Sequence, residues 1–287
     1  MSGSVVKLHA FAPAKINLSL KLVGKRADGY HLLDSIFVPF RALFDELTLE
    51  LSDGEPSITI SSNLSEMTDA ESNLCSKAAK LYFKTTDIHP SCHIHLEKNI
   101  PIGAGLGGGS SDCAAVLSML NSHYCKLSAA ELHDLALLLG ADVPFFLVNQ
   151  ISRVGGIGEK IEPLKTSLKL PLVVFSPSFS ISTPWAFKHI NPSIIGIDSS
   201  ESTSKIVVAL QNDDILTASK YLHNDFETLV FGKFPAYFIW KEFLLKCGAL
   251  HVGLSGSGSS FFAVFDNNDI LENAKEKFYK KYGQNFK

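Results

Sequence analysis

Apolar and polar residues alternate near the amino terminus. Over residues 14–22 the aliphatic side chains fall on one face, while Lys15, Asn17 and Ser19 fall on the other. This period of two predicts a half-buried strand with a lysine on its polar face. Further strands are predicted at four apolar stretches, namely 36–40, 47–51, 57–60 and 93–96.

Helical spacing follows these strands. Apolar residues recur at helical intervals over 73–83, and a second helix is predicted from about residue 112 to 124. Ser128 and Glu131 form a capping box before an apolar stripe that ends at Gly140. A third helix is therefore predicted between these residues.

The pattern of predicted elements changes in the second half of the chain. A new strand is predicted over 172–175, and the polar stretch 198–205 is typical of a mobile loop or a poorly ordered insertion. Early strands with later helices favour an α+β fold over a doubly wound sheet. We place a domain boundary within 161–169, which gives an N-terminal domain over 1–164 and a C-terminal domain over 165–287.

Composition excludes several classes of protein. The 287 residues are 46% hydrophobic and 19% charged, which suits a packed globule and excludes intrinsic disorder. A net charge of −3 lacks the basic excess of nucleic-acid binders, and no apolar run approaches the length of a membrane span. Five cysteines without a CxxC pair, and a start unlike a signal peptide, favour a cytoplasmic protein.

Metal chemistry has little support from the ten histidines, which include no HExxH motif. The closest pair, His93 and His95, fits alternating positions on a strand. We therefore expect these two rings to be surface residues of a sheet.

The most distinctive feature is residues 101–111, Pro-Ile-Gly-Ala-Gly-Leu-Gly-Gly-Gly-Ser-Ser, between a predicted strand and a predicted helix. Five glycines in seven residues would destabilise an ordinary element, so the backbone must approach something closely. Backbone amides, the helix amino terminus and the hydroxyls of Ser110 and Ser111 would together cradle an anion such as a phosphate. A flexible loop is the structural alternative, but flexible linkers rarely run straight into an apolar helix.

Two common phosphate motifs fit this segment poorly. Gly103, Gly105 and Gly108 match GxGxxG. The acid at the required distance, Glu131, lies in a helix cap instead of ending a strand. A Walker A loop needs a lysine before its serine, and Ser110 follows glycine directly. A lysine for the phosphates must therefore come from elsewhere in the chain.

A second glycine- and serine-rich segment, Gly-Leu-Ser-Gly-Ser-Gly-Ser-Ser, occupies residues 253–260 before the apolar stretch 261–265. A tight turn before a strand explains it about as well as a functional loop does. Ser257 stands where the GxSxG motif of hydrolases requires glycine, so that motif is not matched.

Three segments taken together resemble the three motifs of the GHMP kinases, a family named for galactose, homoserine, mevalonate and phosphomevalonate kinases. They are Pro-Ala-Lys-Ile-Asn-Leu at 13–18, the glycine-rich segment 101–111 continuing into Asp112, and Gly-Leu-Ser-Gly-Ser-Gly at 253–258. The resemblance covers nearly the whole chain. Cys113 departs from it, because the family usually has alanine there.

Three other strings narrow the resemblance to members of the family that phosphorylate a methylerythritol linked through diphosphate to cytidine. They are Gly-Lys-Arg-Ala-Asp-Gly-Tyr-His at 24–31, Leu-Gly-Ala-Asp-Val-Pro-Phe-Phe at 139–146 and Asn-Asp-Phe-Glu at 224–227. The resemblance implies a two-lobed fold, with an N-terminal ATP-binding lobe and a ferredoxin-like C-terminal lobe. It implies ATP-dependent phosphorylation of a tertiary hydroxyl, with ATP and Mg2+, in the non-mevalonate isoprenoid route.

The resemblance also implies the site residues. The catalytic pair would be Lys15 and Asp142. The residues implied at ATP are Asn73, near the adenine, and the loop Pro101, Ile102, Gly103, Ala104, Gly105, Leu106, Gly107, Gly108, Gly109, Ser110 and Ser111. The residues implied at the cytidine-bearing substrate are Asn17, Tyr30, His31, Thr183 and Phe187. No magnesium ligand is implied, and Ser111 is only a candidate contact.

Residue chemistry supports part of this independently. Asp142 lies in apolar sequence after Gly140, where an ionised carboxylate needs a cation or hydrogen-bond donors. Lys15, on the polar face of the first strand, is a suitable partner that would keep Asp142 charged and able to accept a proton. The structural alternatives are a turn residue for Asp142 and a solvated strand lysine for Lys15.

The cytidine assignment rests mainly on the resemblance. Tyr30 would stack on a pyrimidine and His31 would bond its edge, whereas a turn aromatic and a structural histidine are the simpler interpretations. Phe187 could close the other face of the base.

Two rival functions stay open at this stage, a GHMP kinase with a mevalonate- or homoserine-like acceptor and a non-catalytic nucleotide-binding regulator. The expected partner is the small-molecule substrate, without nucleic acid or membrane. The sequence does not distinguish a monomer from a homodimer.

Overall fold

The alternation near the amino terminus becomes two very long strands. The structure, a computed structural model, describes residues 5–196 and 199–286. The strands are β1 (Val6–Lys25), β2 (His31–Ser52), β3 (Ser57–Ser62), β4 (Ser91–Glu97), β5 (Ser152–Gly156), β6 (Lys160–Pro163), β7 (Leu172–Phe175), β8 (His251–Leu254) and β9 (Phe261–Val264). The helices are α1 (Leu74–Thr86), α2 (Gly108–Tyr124), α3 (Ala129–Leu139), α4 (Val143–Val148), α5 (Thr183–His189), α6 (Ser199–Gln211), α7 (Ile215–Ser219), α8 (Glu227–Lys233), α9 (Ala236–Lys246) and α10 (Asn268–Tyr282).

The chain divides into two compact units that interleave along the sequence. The first unit comprises the chain up to Lys15 together with Pro39–Ile100 and Gly107–Asn149. The second unit comprises Ile16–Val38, Pro101–Leu106 and the chain from Gln150 onward. The sequential domains 1–164 and 165–287 stay a prediction.

In the first unit a sheet packs against helices. The end of β2 pairs antiparallel with β4, and β4 pairs parallel with β3. Alternate side chains such as Leu49 and Ile94 are buried, whereas His93 and His95 lie on the other face and hydrogen-bond to Ser61. The two histidines are strand residues, as the sequence predicts. Helices α1, α3 and α4 contact α2, whose inner face is buried.

In the second unit the start of β2 pairs antiparallel with β5, and β5 pairs with β6. A separate antiparallel sheet has the order β7–β9–β8. Its core is aromatic: Phe175, Phe261 and Phe278 are fully buried and their rings contact one another. Strand β7 has the bounds predicted from the sequence.

Three local predictions need correction. Strand β2 is continuous where two shorter strands are expected, because residues 41–46 contain no glycine or proline to interrupt it. Helix α2 begins at Gly108 and not near Asp112, since its first turn is already closed by a hydrogen bond from Ser111 N–H to the carbonyl oxygen of Gly107, 2.9 Å. Glycine propensity hides that turn in the sequence.

The third correction concerns the polar stretch 198–205. Residue 198 lies outside the described residues, but 199–205 form the beginning of α6. Thr203 and Ile206 are buried, and Lys205 pairs with Glu201 one turn earlier. Serine and threonine are weak helix formers, so the sequence concealed a helix that packing stabilises.

Two further features concern membrane-spanning helices and the cysteines. Within the described ranges, no helix is long and apolar enough to cross a membrane. All five cysteines are free thiols. Cys75, Cys92 and Cys113 are buried, and Cys125 is exposed where α2 ends.

Candidate active site

Lys15 and Asp142 meet in the first unit. The Lys15 Nζ lies 3.7 Å from Oδ2 of Asp142. The lysine side chain is 5% exposed and the carboxylate side chain 32% exposed. The structure thus brings together the two residues proposed as the catalytic pair, with the lysine buried and the carboxylate open to solvent.

The electrostatics of the pair follow from this difference in exposure. Burial lowers the pKa of Lys15 from its ordinary value, and the neighbouring Asp142 partly offsets that shift. A buried ammonium with one partly exposed counterion is therefore held at a cost to folding. Such perturbed lysines are typical of functional sites.

Asp142 owes its exposure to the start of α4. It is the N-terminal flanking residue of this helix, but its side chain makes no capping hydrogen bond there. It lies with Ala141 in the short turn between Gly140, where α3 ends, and Val143, where α4 begins. The carboxylate is left available for Lys15 and for a substrate.

Gly107 lies directly against the Lys15 side chain in the first unit. It adopts a left-handed φ of 71° as the residue before α2. A Cβ there would lie 3.0 Å from Cγ of Lys15 and 2.9 Å from Cζ of Phe146. A side chain at this position would therefore displace the lysine stem, which explains the glycine.

The preceding part of the glycine-rich segment belongs to the second unit. Gly103 and Gly105 both have positive φ, 68° and 79°. A Cβ on Gly105 would lie 2.3 Å from the carbonyl oxygen of Ser255. The second glycine- and serine-rich segment therefore requires glycine at position 105.

The serines at the start of α2 are partly committed to the fold. Ser111 is 1% exposed, and its hydroxyl donates to the carbonyl oxygen of Pro13, 2.7 Å away. Any contact of Ser111 with a phosphate or a metal would have to share this oxygen with the bond to Pro13.

Asn73 begins α1 and borders a pocket of the first unit. Its Oδ1 accepts from the Cys75 N–H at 2.8 Å, and its Nδ2 donates to the Met67 carbonyl oxygen at 2.8 Å. The pocket has a volume of about 180 Å³. Its lining residues are Glu66, Met67, Ser72, Asn73, Leu74, Cys75, Gly109 and Asp112. The cavity thus places Asn73 and the start of α2 on shared walls.

Sequence reasoning missed a buried charge cluster beside this pocket. Lys98 Nζ contacts Asp45 and lies 2.8 Å from Oδ2 of Asp112. All three side chains are at most 2% exposed. Asp45 also accepts from the backbone N–H groups of Asn99 and Ile100, at 2.6 and 2.8 Å. The cluster ties the chain before the glycine-rich segment to Asp112, just beyond the first turn of α2.

Burial and the neighbouring Asp45 raise the pKa of Asp112 to about 8, against the opposing effect of Lys98. The two carboxylates raise the pKa of Lys98, which outweighs its burial. The signal in the sequence is weak, because a lysine three residues before a proline is ordinary. The importance of Lys98 follows only from its contact with two aspartates that are distant in the sequence.

In the second unit Asn17 and Thr183 contact the same loop. The Asn17 N–H donates to the Ser255 hydroxyl at 3.3 Å, and its Nδ2 donates to the Ser35 hydroxyl at 3.3 Å. The Thr183 hydroxyl lies 2.9 Å from that of Ser257. The segment that the sequence left ambiguous is therefore the common neighbour of two predicted acceptor residues.

Tyr30, His31 and Phe187 are also in the second unit. Tyr30 follows a turn in which Asp28 accepts its N–H at 3.2 Å, and it is 60% exposed. The rings of His31 and Phe187 are 5.2 Å apart. Burial, followed by the charge of Lys25, lowers the pKa of His31, which favours a neutral imidazole with one donor and one acceptor.

With this geometry in view, comparisons identify the family. Family models described as GHMP kinases N terminal domain and GHMP kinases C terminal match residues 73–150 and 206–285. The chain belongs to the GHMP kinases. The resemblance read from the motifs is therefore confirmed, and so is the α+β GHMP-kinase fold.

Among these kinases, the 4-diphosphocytidyl-2-C-methyl-D-erythritol kinase of Chlorobium chlorochromatii (strain CaD3) is 38% identical over 287 residues, 97% of this chain and 95% of that protein. A crystal structure of 4-(cytidine 5'-diphospho)-2C-methyl-D-erythritol kinase matches with a TM-score of 0.80 and 34% identity, covering 95% of this chain and 96% of that one. Homoserine kinase from Cytophaga hutchinsonii ATCC 33406 has a TM-score of 0.75 at 22% identity, covering 98% and 92%. This last likeness shows the fold alone.

Proposed function

We propose that this chain transfers a phosphate from ATP to the 2-hydroxyl of 4-diphosphocytidyl-2-C-methyl-D-erythritol, a step toward isoprenoid precursors in the non-mevalonate route. Its similarity to kinases named for that substrate supports the acceptor. The observation that carries the chemistry is the 3.7 Å pair of buried Lys15 and open Asp142.

Asp142 accepts the proton of the acceptor hydroxyl as the oxygen attacks the γ-phosphorus of ATP, and the bond from that phosphorus to the β,γ-bridging oxygen breaks so that ADP leaves. Its exposed carboxylate can reach a substrate, and Lys15 stabilises its ionised form. Because phosphoryl-transfer transition states are loose, the pair contributes as much by positioning the hydroxyl as by removing its proton. The Lys15 ammonium also faces the negative charge that develops during transfer.

ATP binds through the glycine-rich segment 101–111 and the pocket of Asn73. The amides at the start of α2 and the helix dipole favour phosphate oxygens there. GHMP kinases use ATP as phosphate donor, which fits this assignment.

Magnesium fits this chain only as an ion that arrives with ATP. The described residues hold no group of three or more His, Cys, Asp and Glu side chains that could form a metal site. Mg2+ commonly takes one or two carboxylates and completes its shell with phosphate oxygens and water. Asp142 is the accessible carboxylate beside Lys15. When bound, the ion would neutralise charge on the phosphates.

The cytidine end of the acceptor binds at Tyr30, His31 and Phe187. The open Tyr30 ring offers a stacking face, and a neutral His31 offers a donor and an acceptor to a base edge. Asn17 and Thr183 complete the acceptor residues. Five free cysteines fit a reducing compartment, so a cytoplasmic location is part of the proposal.

A coupled assay with purified protein tests the proposal. ADP release is measured with ATP, Mg2+ and each of three acceptors: the cytidine substrate, mevalonate and homoserine. We expect turnover with the cytidine substrate alone. Turnover only with another acceptor would reassign the substrate, and ATP binding without any turnover would support a regulator.

A further inference from the structure

One motif from the sequence has no part in the proposed chemistry, the string Asn-Asp-Phe-Glu at 224–227. Asn224 is 3% exposed, and its side-chain amide donates to two backbone carbonyl oxygens, those of Leu254 at 2.7 Å and Gly256 at 2.8 Å. Its Oδ1 accepts from the Phe226 N–H at 2.9 Å. One asparagine thus bridges the backbone on both sides of Ser255.

The side-chain hydroxyl of Ser255 bonds to two other segments of the chain. This oxygen accepts from the Asn17 N–H at 3.3 Å and donates to the carbonyl oxygen of Gly105 at 3.0 Å. Ser255 itself is fully buried. The hydroxyl therefore joins a predicted acceptor residue to the first part of the predicted ATP loop, entirely within the second unit.

Further bonds make the same loop rigid. We call residues 253–260 the serine loop. Ser255 N–H donates to the carbonyl oxygen of Ser260 at 2.9 Å, and Ser260 N–H donates to that of Ala104 at 3.0 Å. The Ser257 hydroxyl lies 2.9 Å from that of Thr183. The first bond lies within the loop, and the other two reach Ala104 and Thr183, which the proposed function assigns to ATP and to the acceptor.

We infer that Asn224 and Ser255 are positioning residues for phosphoryl transfer, which act by holding the serine loop against Asn17 and Gly105. This inference rests on the proposed function. Neither residue needs to touch substrate. Asn224 fixes the two carbonyls that flank Ser255, and Ser255 sets the position of one residue for each substrate. Small displacements of bound reactants have large kinetic costs, so both side chains affect turnover.

The test uses Asn224→Asp, Ser255→Ala and the double variant. Aspartate keeps the shape and the acceptor oxygen but loses both donors. We expect kcat/KM for ATP and for the cytidine substrate to fall together by about 10- to 100-fold. Because both residues act through the same loop, we expect kcat/KM of the double variant to lie no more than about twofold below that of the worse single variant.

Asn121→Asp is the matched control. Asn121 donates to the Leu127 carbonyl oxygen at 2.9 Å and accepts from its N–H at 3.0 Å, in the first unit and away from the serine loop. We expect the Asn121→Asp variant to unfold at a lower urea concentration than the wild type, because a structural hydrogen bond is lost. Both of its kcat/KM values should stay within about twofold of the wild-type values. The comparison separates lost stability from lost positioning.

Folded Asn224→Asp with wild-type kcat and KM overturns the inference, and so do multiplicative losses in the double variant. If Asn224→Asp does not fold, Ser255→Ala decides alone: unchanged kcat/KM for both substrates overturns it. If the wild type does not phosphorylate the cytidine substrate, the proposed function fails separately. In that case, calorimetry measures the Kd of each variant for a non-hydrolysable ATP analogue and for CDP. We expect both ligands to bind more weakly than to the wild type. Unchanged affinities would overturn the inference.

Discussion

Two buried lysines in the first unit solve the same electrostatic problem in different ways. Lys98 faces two carboxylates, those of Asp45 and Asp112, which are as buried as it is. Lys15 pairs with the carboxylate of Asp142, whose side chain is 32% exposed. The carboxylates raise the pKa of Lys98, whereas burial lowers that of Lys15.

The difference separates a fully buried charge cluster from a pair with one solvent-exposed member, to which we assign a function. A lysine with two buried partners is satisfied, so its removal leaves uncompensated charge in the interior. Lys15 pairs with a carboxylate that keeps contact with solvent, so this neighbour can still receive a ligand. The solvent exposure of the partner carboxylate, and not burial of the lysine alone, therefore distinguishes the pair that we propose for chemistry.

The largest expected effect is on stability at Lys98. Lys98→Met leaves the buried carboxyl groups of Asp45 and Asp112 without a cation and lowers the free energy of unfolding by about 3–5 kcal/mol. Lys15→Met changes it by no more than about 1 kcal/mol, because the open Asp142 carboxylate can hydrate. Urea unfolding of both variants measures this, and equal losses would erase the distinction between the lysines.

The next effect is on turnover at Asp142. Asp142→Asn lowers kcat by about 10²-fold or more, the scale of a lost general base, and leaves ATP affinity within a few-fold. Asp134→Asn on α3, whose side chain is 84% exposed, is the control and keeps full activity. Steady-state kinetics and calorimetry measure the two quantities. Near-normal turnover would remove Asp142 from the proposed role.

A smaller effect is expected at Tyr30, another exposed group with a proposed function. Tyr30→Ala weakens CDP binding by about 1–3 kcal/mol, the contribution of one stacked base, and leaves an ATP analogue unaffected. Phe238→Ala is the control, since that ring is exposed to a similar extent, 56% against 60%. Titration calorimetry with both ligands decides. Equal weakening of the two would indicate a structural tyrosine.

The last effect is a slope with pH from the Lys98 cluster, measured per pH unit and not as a single loss. The pKa of Asp112 is raised to about 8, above the value of about 3.9 for an unfolded aspartate, so the folded state holds an extra proton between these pH values. The free energy of unfolding therefore falls as pH rises from about 4 to about 8, by at most about 1.4 kcal/mol per unit.

Asp112→Asn removes this contribution. Lys98, whose pKa is raised, stays charged throughout that range in both proteins. Urea unfolding at several pH values gives the difference between wild type and variant, which cancels the other titrating groups. Parallel stability profiles would show that Asp112 is ionised in the folded state like any exposed aspartate.

Local signals in the sequence carried much of the fold. The capping box of Ser128 and Glu131, the end of α3 at Gly140 and the bounds of β7 were all predictable, because each depends on neighbouring residues. Helix α6 was missed because its packing outweighs the poor propensities of its serines. The interleaved units could not be predicted, since long-range contacts decide them.

The candidate site divides in the same way. The pairing of Lys15 with Asp142 was predictable, because an aspartate in apolar sequence demands a cation. The clusters around Lys98 and Asn224 were not, because no apolar context or spacing in the sequence points from either residue to its distant partners. The roles of Lys15 and Asp142 themselves stay predictions.

The carboxyl-terminal end of helix α2 offers a site for a fluorescent label. It spans 17 residues from Gly108, or about 25 Å, and stops at the exposed thiol of Cys125. Burial raises the pKa of Cys92 and Cys113 to about 12, so these thiols resist alkylation at neutral pH. A maleimide dye would therefore favour Cys125 over the buried thiols. A fluorophore there would sit one helix length from the glycine-rich segment, close enough to report nucleotide arrival and distant enough not to obstruct it.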